Sequence, residues 1–412
     1  MLSALHEFRV RQSGNMNIIL VWHATMALAV TNVVAGNNSS NHAAAIISWI
    51  RSEGGFYNDK LETRRIDRND PQSSYGIFAT DYLEANELLF VIPTTVLFQS
   101  GEVDEAPAAL NCDTVHSLVK EMRLGDKSKY APYINFLLDT QPARSPSVWS
   151  DAGKNLFLQV LGEDQDGDQS LPPYEPIDWI TADWHQGCEG SDDPLEEHAA
   201  ILVVQLSWDE LLIPLFDMVR HRNGKWQNCE NDNSIRNGEN IKVRASRAIE
   251  AGEEIYTSQN LCKECGARLT NYGTAEILRD YGILENYPQR WIFQGQEVAF
   301  EIDEIYDNAG EGTGRVMWTK WIENKPSSSG VNWLEEEFQR LKHIGETIMS
   351  HDQWKTIPEK EWNLIVEYHK AMMLGMSLAI EEAGEDEFKC LEGGTCQLSS
   401  TRYVNLHDKT EG

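Results

Sequence analysis

Basic residues are scarce in this 412-residue chain, which has 35 Lys and Arg against 65 Asp and Glu and a formal net charge of −30. A surface with this charge repels phosphate backbones, so nucleic acid is not expected as a partner. The same charge suits a protein or basic peptide substrate, although acidic residues also simply keep a surface soluble. The acid content therefore limits the class of partner without identifying one.

Cysteine is also sparse: there are seven residues, and an odd number does not indicate a complete disulfide framework. Cys262 and Cys265 form a C-x-x-C motif, but a closed zinc site needs four ligands, so no metal is predicted from this motif alone. Cys390 and Cys396 are spaced to close a small disulfide loop in an oxidising compartment. No P-loop, dinucleotide-binding fingerprint or Ser-His-Asp spacing occurs, which argues against those classes of enzyme.

Long apolar runs are missing except at residues 18–35. Val33 and Ala35 before Gly36 fit a small-residue cleavage site, so residues 1–40 are predicted to be a signal peptide, or a transmembrane anchor, with a linker. The secretory pathway or an organelle lumen is then the expected location, with membrane contact only if the segment stays uncleaved. The alternative is a buried amino-terminal helix in a cytoplasmic protein.

The remaining pattern mixes short strands with helices. Residues 75–93 and 241–257 each contain two apolar runs around a turn, which predicts two short strands joined by a turn. Apolar residues at helical spacing predict helices over 43–55 and 113–137, with a break at LGDKSKYAPY in the second range. A helical pattern returns from about residue 331 onward. Such a mixture is typical of an α+β fold with a helical C-terminal region.

Six segments, in order along residues 43–295, resemble the SET-domain branch that includes the Rubisco large-subunit lysine methyltransferase and the actin histidine methyltransferase. They are SWIRSEGG, YGIFATDYLEANELLFVIP, KEMRLGDKSKYAPYINFL, LLIPLFDMVRHRNG, RAIEAGEEIYTSQN and DYGI. The resemblance implies a SET domain of small curved β-sheets over residues 41–295. It also implies a helical insertion at about 101–194 and a helical C-terminal region over 296–412.

The resemblance further implies S-adenosylmethionine as the cofactor and methyl transfer to a lysine, or histidine, side chain of a protein. This displacement needs a rigidly held donor, a neutral amine and a site without water. By resemblance, the backbone of Gly76, Ile77 and Phe78 would hold the amino-acid end of the donor, because glycine allows close approach.

Four positions depart from the pattern of the family. Arg220 replaces the cofactor-binding Asn ahead of an intact His221, and Gln259 stands where the resemblance places the catalytic tyrosine. Ile283 replaces the adenine-facing phenylalanine, and the arginine that grips the donor carboxylate is absent, with Leu206 near its place. Each change removes a donor contact, and losing one positioned polar contact commonly lowers a rate about a hundredfold.

Three residues are candidates to replace the lost groups. Arg220 would contact the donor carboxylate, and Tyr272 or Tyr281 would supply the missing phenol, although both tyrosines are equally explained as core aromatics. We expect the donor site to combine Gly76–Phe78, Arg220, His221, Gln259 and the turn at 281–283. Two functions follow: an active protein methyltransferase, or a catalytically degenerate SET protein that binds a peptide or protein. The sequence leaves the oligomeric state open.

Overall fold

The computed structural model describes most of the chain from residue 42 onward. The described ranges are 42–70, 73–99, 110–141, 144–163, 167–208, 211–232, 238–260, 271–306, 315–322, 324–347, 355–384 and 402–404. The leader predicted for residues 1–40 and the pairs Cys262/Cys265 and Cys390/Cys396 lie outside these ranges. Across the described ranges no helix is long and apolar enough to cross a membrane.

Small sheets form the first half of the fold, as the strand-turn-strand patterns predict. The strands are β1 (Phe56–Tyr57), β2 (Leu61–Arg65), β3 (Tyr75–Ala79), β4 (Leu88–Ile92), β5 (Ser207–Trp208), β6 (Leu211–Leu212), β7 (Arg220–His221), β8 (Cys229–Asn231), β9 (Ile241–Ala245) and β10 (Tyr256–Thr257). The order β1-β4-β9-β8 forms a four-stranded antiparallel sheet, and β2 with β3 and β5 with β6 form antiparallel pairs. The predicted α+β class with small sheets is confirmed.

Strands β7 and β10 pair in parallel, which sets them apart from the antiparallel sheets. Arg220 lies opposite Tyr256, and His221 lies opposite Thr257. Because parallel neighbours require a long crossover connection, this pairing joins two segments that are distant in sequence. The predicted site residues around 220 and 259 therefore meet at one place.

Helices fill the region that the sequence predicts as an insertion. After α1 (His42–Ser52) they are α2 (Cys112–Leu124), α3 (Ala131–Asp139), α4 (Asp151–Leu161), a π-helical turn (Ile180–Gly187) and α5 (Pro194–Leu206). The side chain of Asn111 accepts the amide of Thr114 and caps α2, which ends at Gly125 with a φ of +53°. The helical range predicted over 113–137 is thus two helices, and the predicted break between them is confirmed.

The C-terminal region contains both strands and long helices. It comprises α6 (Thr274–Tyr281), β11 (Gln289–Phe293), β12 (Val298–Tyr306), β13 (Arg315–Trp321), α7 (Ser328–Thr347), α8 (Glu359–Gly384) and β14 (Arg402–Val404). The predicted helices are present, whereas the sheet β11-β12-β13-β14 was not predicted. In β12 the buried residues Phe300, Ile302 and Glu304 alternate with partly exposed ones, but acidic residues weaken that signal in the sequence.

A hydrophobic core joins this C-terminal region to α4 of the insertion. Phe157 of α4, Trp291 of β11 and Tyr368 of α8 are buried together, with ring centroids 5.1 Å (Phe157 to Tyr368) and 5.7 Å (Trp291 to Tyr368) apart. Burying a side chain of this size contributes about 1.5–3 kcal/mol to folding. The C-terminal helices are therefore part of the packed structure.

A disulfide between Cys112 and Cys188 closes a loop of 76 residues within the insertion. Restricting the unfolded chain over a loop of this length contributes about 4 kcal/mol on the chain-entropy account. The cysteine count in the sequence did not indicate this bridge. Cys229 remains as a free thiol, and burial raises its pKa to about 12.

A buried carboxyl group ties the insertion to the small sheets of the first half of the fold. Tyr133 of α3 donates its hydroxyl to Oδ2 of Asp217, which lies just before β7. The Oδ1 atom of Asp217 is shielded from solvent, and burial raises the pKa of the carboxyl group to about 8. At neutral pH this group is therefore mostly protonated in the folded chain.

The raised pKa of Asp217 predicts a specific dependence of stability on pH. An ordinary aspartate ionises near pH 4 when unfolded, so the stabilisation is complete below about pH 4 and is lost as pH rises through about 8. Asp217→Asn cannot ionise and keeps an oxygen to accept the Tyr133 hydroxyl. We expect its melting temperature to rise relative to the unmodified chain between about pH 5 and pH 8.

Thermal unfolding at a series of pH values measures this difference. Asp178→Asn serves as a control of opposite sign, because a hydrogen bond and ion pair with Lys154 lower the pKa of Asp178 despite partial burial. That variant should lose relative stability as pH rises through the acidic range. A constant offset between Asp217→Asn and the unmodified chain would contradict the assignment.

Candidate functional site

Gly76 in β3 lies at the centre of the predicted donor site. A Cβ atom at this position would lie 2.7 Å from Oε1 of Glu254 and 2.6 Å from Cδ1 of Ile66. Both distances are shorter than real Cβ contacts, so a side chain at this position would require Ile66 and Glu254 to shift. The carboxylate of Glu254 and the side chain of Ile66 fill the space beside Gly76.

The two residues after Gly76 have different surroundings. Ile77 is fully buried, and its carbonyl oxygen accepts the amide of Ile255 at 2.8 Å. Phe78 is half-buried, and the guanidinium carbon of Arg64 lies 3.6 Å from the centre of its ring. The side chain of Ile77 therefore belongs to the core, and the ring of Phe78 lies at the edge of the site.

Arg220 is paired within the chain. Its Nε lies 2.5 Å from Oε1 of Glu254 and its Nη2 lies 2.6 Å from Oε2, which is a bidentate ion pair. Tyr256 donates its hydroxyl to Oε2 at 2.7 Å, and burial together with the Glu254 carboxylate raises the pKa of that phenol. The side chain of Glu254 is only 8% exposed. The guanidinium predicted to contact the donor carboxylate is thus held by Glu254, next to Gly76.

His221 is held from both sides of its ring. Its Nδ1 accepts the backbone amide of Gln259 at 3.0 Å, so Nε2 carries the proton and donates to Oε1 of Glu285 at 2.8 Å. This arrangement fixes both the tautomer and the orientation of the imidazole ring. It also attaches the backbone of Gln259, the position of the expected catalytic tyrosine, to the strand that carries His221.

Glu285 is the centre of a buried polar network and is only 4% exposed. Besides His221, its carboxyl oxygens accept Nδ2 of Asn223 at 2.9 Å, Nδ2 of Asn260 at 3.5 Å and the hydroxyl of Thr274. Buried polar groups are stable only when paired, and this group has four donors. The network joins the segments after β7 and β10 to the start of α6 and the turn that follows it.

The three remaining predicted residues are placed differently. Tyr281 is half-buried, and its hydroxyl lies 3.4 Å from Oε1 of Gln259. Tyr272 is buried, and it donates its hydroxyl to Asp280 at 2.5 Å. Ile283 is 42% exposed. The structure thus brings Gln259, His221 and Tyr281 together, and Tyr272 has a separate partner.

Sequence reasoning missed three residues that organise the site. Glu254 and Tyr256 lie within the RAIEAGEEIYTSQN segment. The sequence feature that could have indicated them is a polar side chain on each side of Ile255, an apolar residue that is buried. Glu285 follows the DYGI segment by two positions, and a lone acidic residue after an apolar pair was its signal. Their roles depend on partners far along the chain, which no local pattern names.

Comparisons with known proteins agree with this arrangement of strands. The family model of the SET domain matches residues 74–258, from the start of β3 to the end of β10. The SET domain of LSMT bound to lysine and AdoHcy resembles the chain with a TM-score of 0.47 and 10% identity, over 83% of this chain and 90% of that chain. Rubisco LSMT bound to AdoMet gives 0.46 and 11%, over 84% and 92%.

These TM-scores are too low to support an argument about function, and no curated protein matches the chain by sequence. The family match covers Gly76, Arg220, His221 and Glu254, and it ends next to Gln259. It agrees with the resemblance seen in the order of the sequence motifs. The chain contains a SET domain over residues 74–258, set in an α+β fold with a helical C-terminal region.

Proposed function

We propose that this chain is an S-adenosylmethionine-dependent methyltransferase that acts on a lysine, or histidine, side chain of a protein. The observation that carries the proposal is the parallel pairing of β7 with β10 inside the matched SET domain. That pairing brings Arg220 and His221 beside the segment that carries Glu254 and Gln259, and Glu254 in turn lies against Gly76. The match of the SET family model over residues 74–258 supports this chemical class.

S-adenosylmethionine would supply a methyl group on a positively charged sulfur. Gly76, Phe78 and His221 are the residues that would hold it, because Gly76 presents backbone without a side chain and His221 is fixed in position. Glu254 places a carboxylate next to Gly76, where it would attract the positively charged amino group of the donor. The chain's own groups thus suit a cationic donor, provided that Arg220 leaves Glu254 available.

The acceptor side chain must arrive uncharged to attack the methyl group. Gln259 stands at the position of the expected catalytic tyrosine and provides an amide in place of a phenol. Tyr281 is the phenol that hydrogen-bonds to it, at 3.4 Å. We propose that the hydroxyl of Tyr281 orients the acceptor nitrogen, a role for which Tyr272 is less suited because Asp280 holds its hydroxyl.

A second candidate is a SET protein that binds a peptide or protein without turnover. The Arg220–Glu254–Tyr256 cluster favours it, because these three groups satisfy one another within the chain. A donor would have to compete with this bidentate pair for Glu254. The two candidates differ in whether the donor binds at all, which a titration measures directly.

We also propose that the chain enters the secretory pathway or an organelle lumen. The apolar run at residues 18–35 is the sequence basis for this location. The Cys112–Cys188 disulfide supports it, because such bridges persist in oxidising compartments and are rare in the cytoplasm.

The donor titration has a defined outcome. We expect AdoHcy to bind the unmodified chain weakly and to bind Arg220→Asn at least about tenfold more tightly, a gain of about 1.4 kcal/mol. Glu254 is kept in this variant because its carboxylate, released from Arg220, is the group proposed to attract the donor's amino group. Calorimetry measures both affinities.

Arg247→Asn is the matched control, since Arg247 is a neighbouring arginine that pairs with Glu253 at 3.0 Å. It should leave AdoHcy affinity unchanged. If neither the unmodified chain nor Arg220→Asn binds AdoHcy, the methyltransferase proposal is wrong and the binding module remains.

The phenol prediction separates two tyrosines. Tyr281→Phe should lower the single-turnover rate of methyl transfer to a lysine peptide about a hundredfold, because it removes a positioned hydroxyl. Tyr272→Phe should lower thermal stability, because it leaves buried Asp280 without that donor, and should change the rate little. Mass spectrometry of the peptide gives the rate. Unchanged transfer by Tyr281→Phe would refute its proposed role.

A further inference from the structure

Positive charge is concentrated beside the site in a chain whose net charge is −30. Cationic and aromatic side chains there alternate along one line of contacts, here called the basic-aromatic strip: Arg220, Tyr256, Arg222, Trp226 and Lys225. The guanidinium carbons of Arg220 and Arg222 lie 5.6 Å and 5.9 Å from the centre of the Tyr256 ring. Arg222 lies 3.7 Å from the Trp226 ring centre, and Nζ of Lys225 lies 5.3 Å from it.

Within the described part of the chain, Arg222 and Lys225 have no acidic partner. Glu254 is the carboxylate next to the strip, and both of its oxygens are engaged by Arg220. Among the residues that the structure describes, no carboxylate forms an ion pair with Arg222 or Lys225. In a chain with nearly twice as many acidic as basic residues, two neighbouring cations without an acidic partner require an explanation.

Two buried donors on the strip also have no acceptor. Nε of Arg222 and the indole nitrogen Nε1 of Trp226 are both shielded from solvent and make no hydrogen bond. Arg222 is half-buried and Lys225 is exposed, so the charged ends of the strip are open to a partner. A guanidinium stacked on an aromatic ring loses little freedom on binding and presents its edge for bidentate contact with a carboxylate.

We propose that the basic-aromatic strip binds an acidic segment of the protein substrate, with Arg222 as the carboxylate contact and Lys225 beside it. The inference rests on the proposed function for the position of the methylated side chain, and it adds the substrate class. The rest of the acidic surface repels such a segment, so attraction at the strip alone sets its direction across the site. A target lysine or histidine flanked by Asp or Glu therefore fits this site.

The net charge of the chain suggests a basic peptide as partner, whereas the strip favours an acidic one. Net charge describes the whole surface and acts mainly on solubility and long-range attraction. Recognition depends on the few side chains that a partner touches, and here those are cations held on aromatic rings. The charged side chains of the strip are all positive, opposite in sign to the net charge of the chain.

The test uses three synthetic peptides with the same central lysine and acidic, neutral or basic flanks. Fluorescence anisotropy measures their affinity for the full chain, with and without AdoHcy. We expect the acidic peptide to bind most tightly, and Arg222→Gln to weaken it at least about tenfold, as for loss of one charge-assisted contact. Lys225→Gln should weaken it a few-fold, and added salt should reduce the effect of both substitutions.

Arg244→Gln is the matched control, because Arg244 is an exposed arginine on β9 that contacts the carbonyl oxygen of Asn86. It should leave the affinity for the acidic peptide unchanged. Equal effects of Arg222→Gln and Arg244→Gln, or tighter binding of the basic peptide, would overturn the proposal. So would a loss of AdoHcy affinity in Arg222→Gln without a loss of peptide affinity, which would place a donor carboxylate on the strip.

The two proposals fail in distinguishable ways. Binding of the acidic peptide through Arg222, with no binding of AdoHcy, would support the strip and contradict the methyltransferase. Binding of AdoHcy with no preference for the acidic peptide would support the methyltransferase proposal and contradict the proposed role of the strip.

Discussion

The candidate site depends on one buried carboxyl group, that of Glu285. Its oxygens receive donors from the segment after β7, from the segment after β10 and from the start of α6. His221 connects Glu285 to Gln259, because its Nε2 donates to Glu285 and its Nδ1 accepts the backbone amide of Gln259. A buried donor left unpaired costs about 1–3 kcal/mol, so removing Glu285 would release several segments at once.

The Arg220–Glu254 pair is a second constraint, and it acts on function more than on folding. A partly buried ion pair gains attraction but loses hydration, so its net contribution to stability is small when compared with apolar packing. Its effect on the site is larger, because it occupies the carboxylate beside Gly76. Arg222, two residues further along, has no carboxylate partner among the described residues. Arg220 is therefore engaged within the chain, whereas Arg222 is the arginine proposed to bind a ligand.

Most of the fold could be predicted from the sequence because its signals are local. The two strands within 75–93 and the break at Gly125 follow from alternation and turn residues, although β3 pairs with β2 and β4 pairs with β1 and β9. The order of six motifs then indicated the SET domain, which the family match supports. Strands β12 and β13 escaped prediction because charged residues interrupt their apolar alternation.

The membership of the site was only partly predictable, and its contacts were less so. The motif order names the segments that carry Gly76, Arg220, His221 and Gln259, but it did not single out Glu254, Tyr256 or Glu285. The partner of Arg220 was not predictable, because a guanidinium pairs with whichever carboxylate the folded chain places nearest. The same holds for the Cys112–Cys188 disulfide, whose two cysteines are 76 residues apart.

Hydrogen exchange at the backbone amide of Gln259 tests the central role of Glu285 most directly. The control is Glu361→Gln, since Glu361 is a buried glutamate that accepts the amide and hydroxyl of Ser150, outside the site. The account predicts that Glu285→Gln lowers protection of the Gln259 amide at least about tenfold beyond any change in global stability, whereas Glu361→Gln changes the two together. If Glu285→Gln leaves the Gln259 amide exchanging only with global unfolding, Glu285 does not hold the site together.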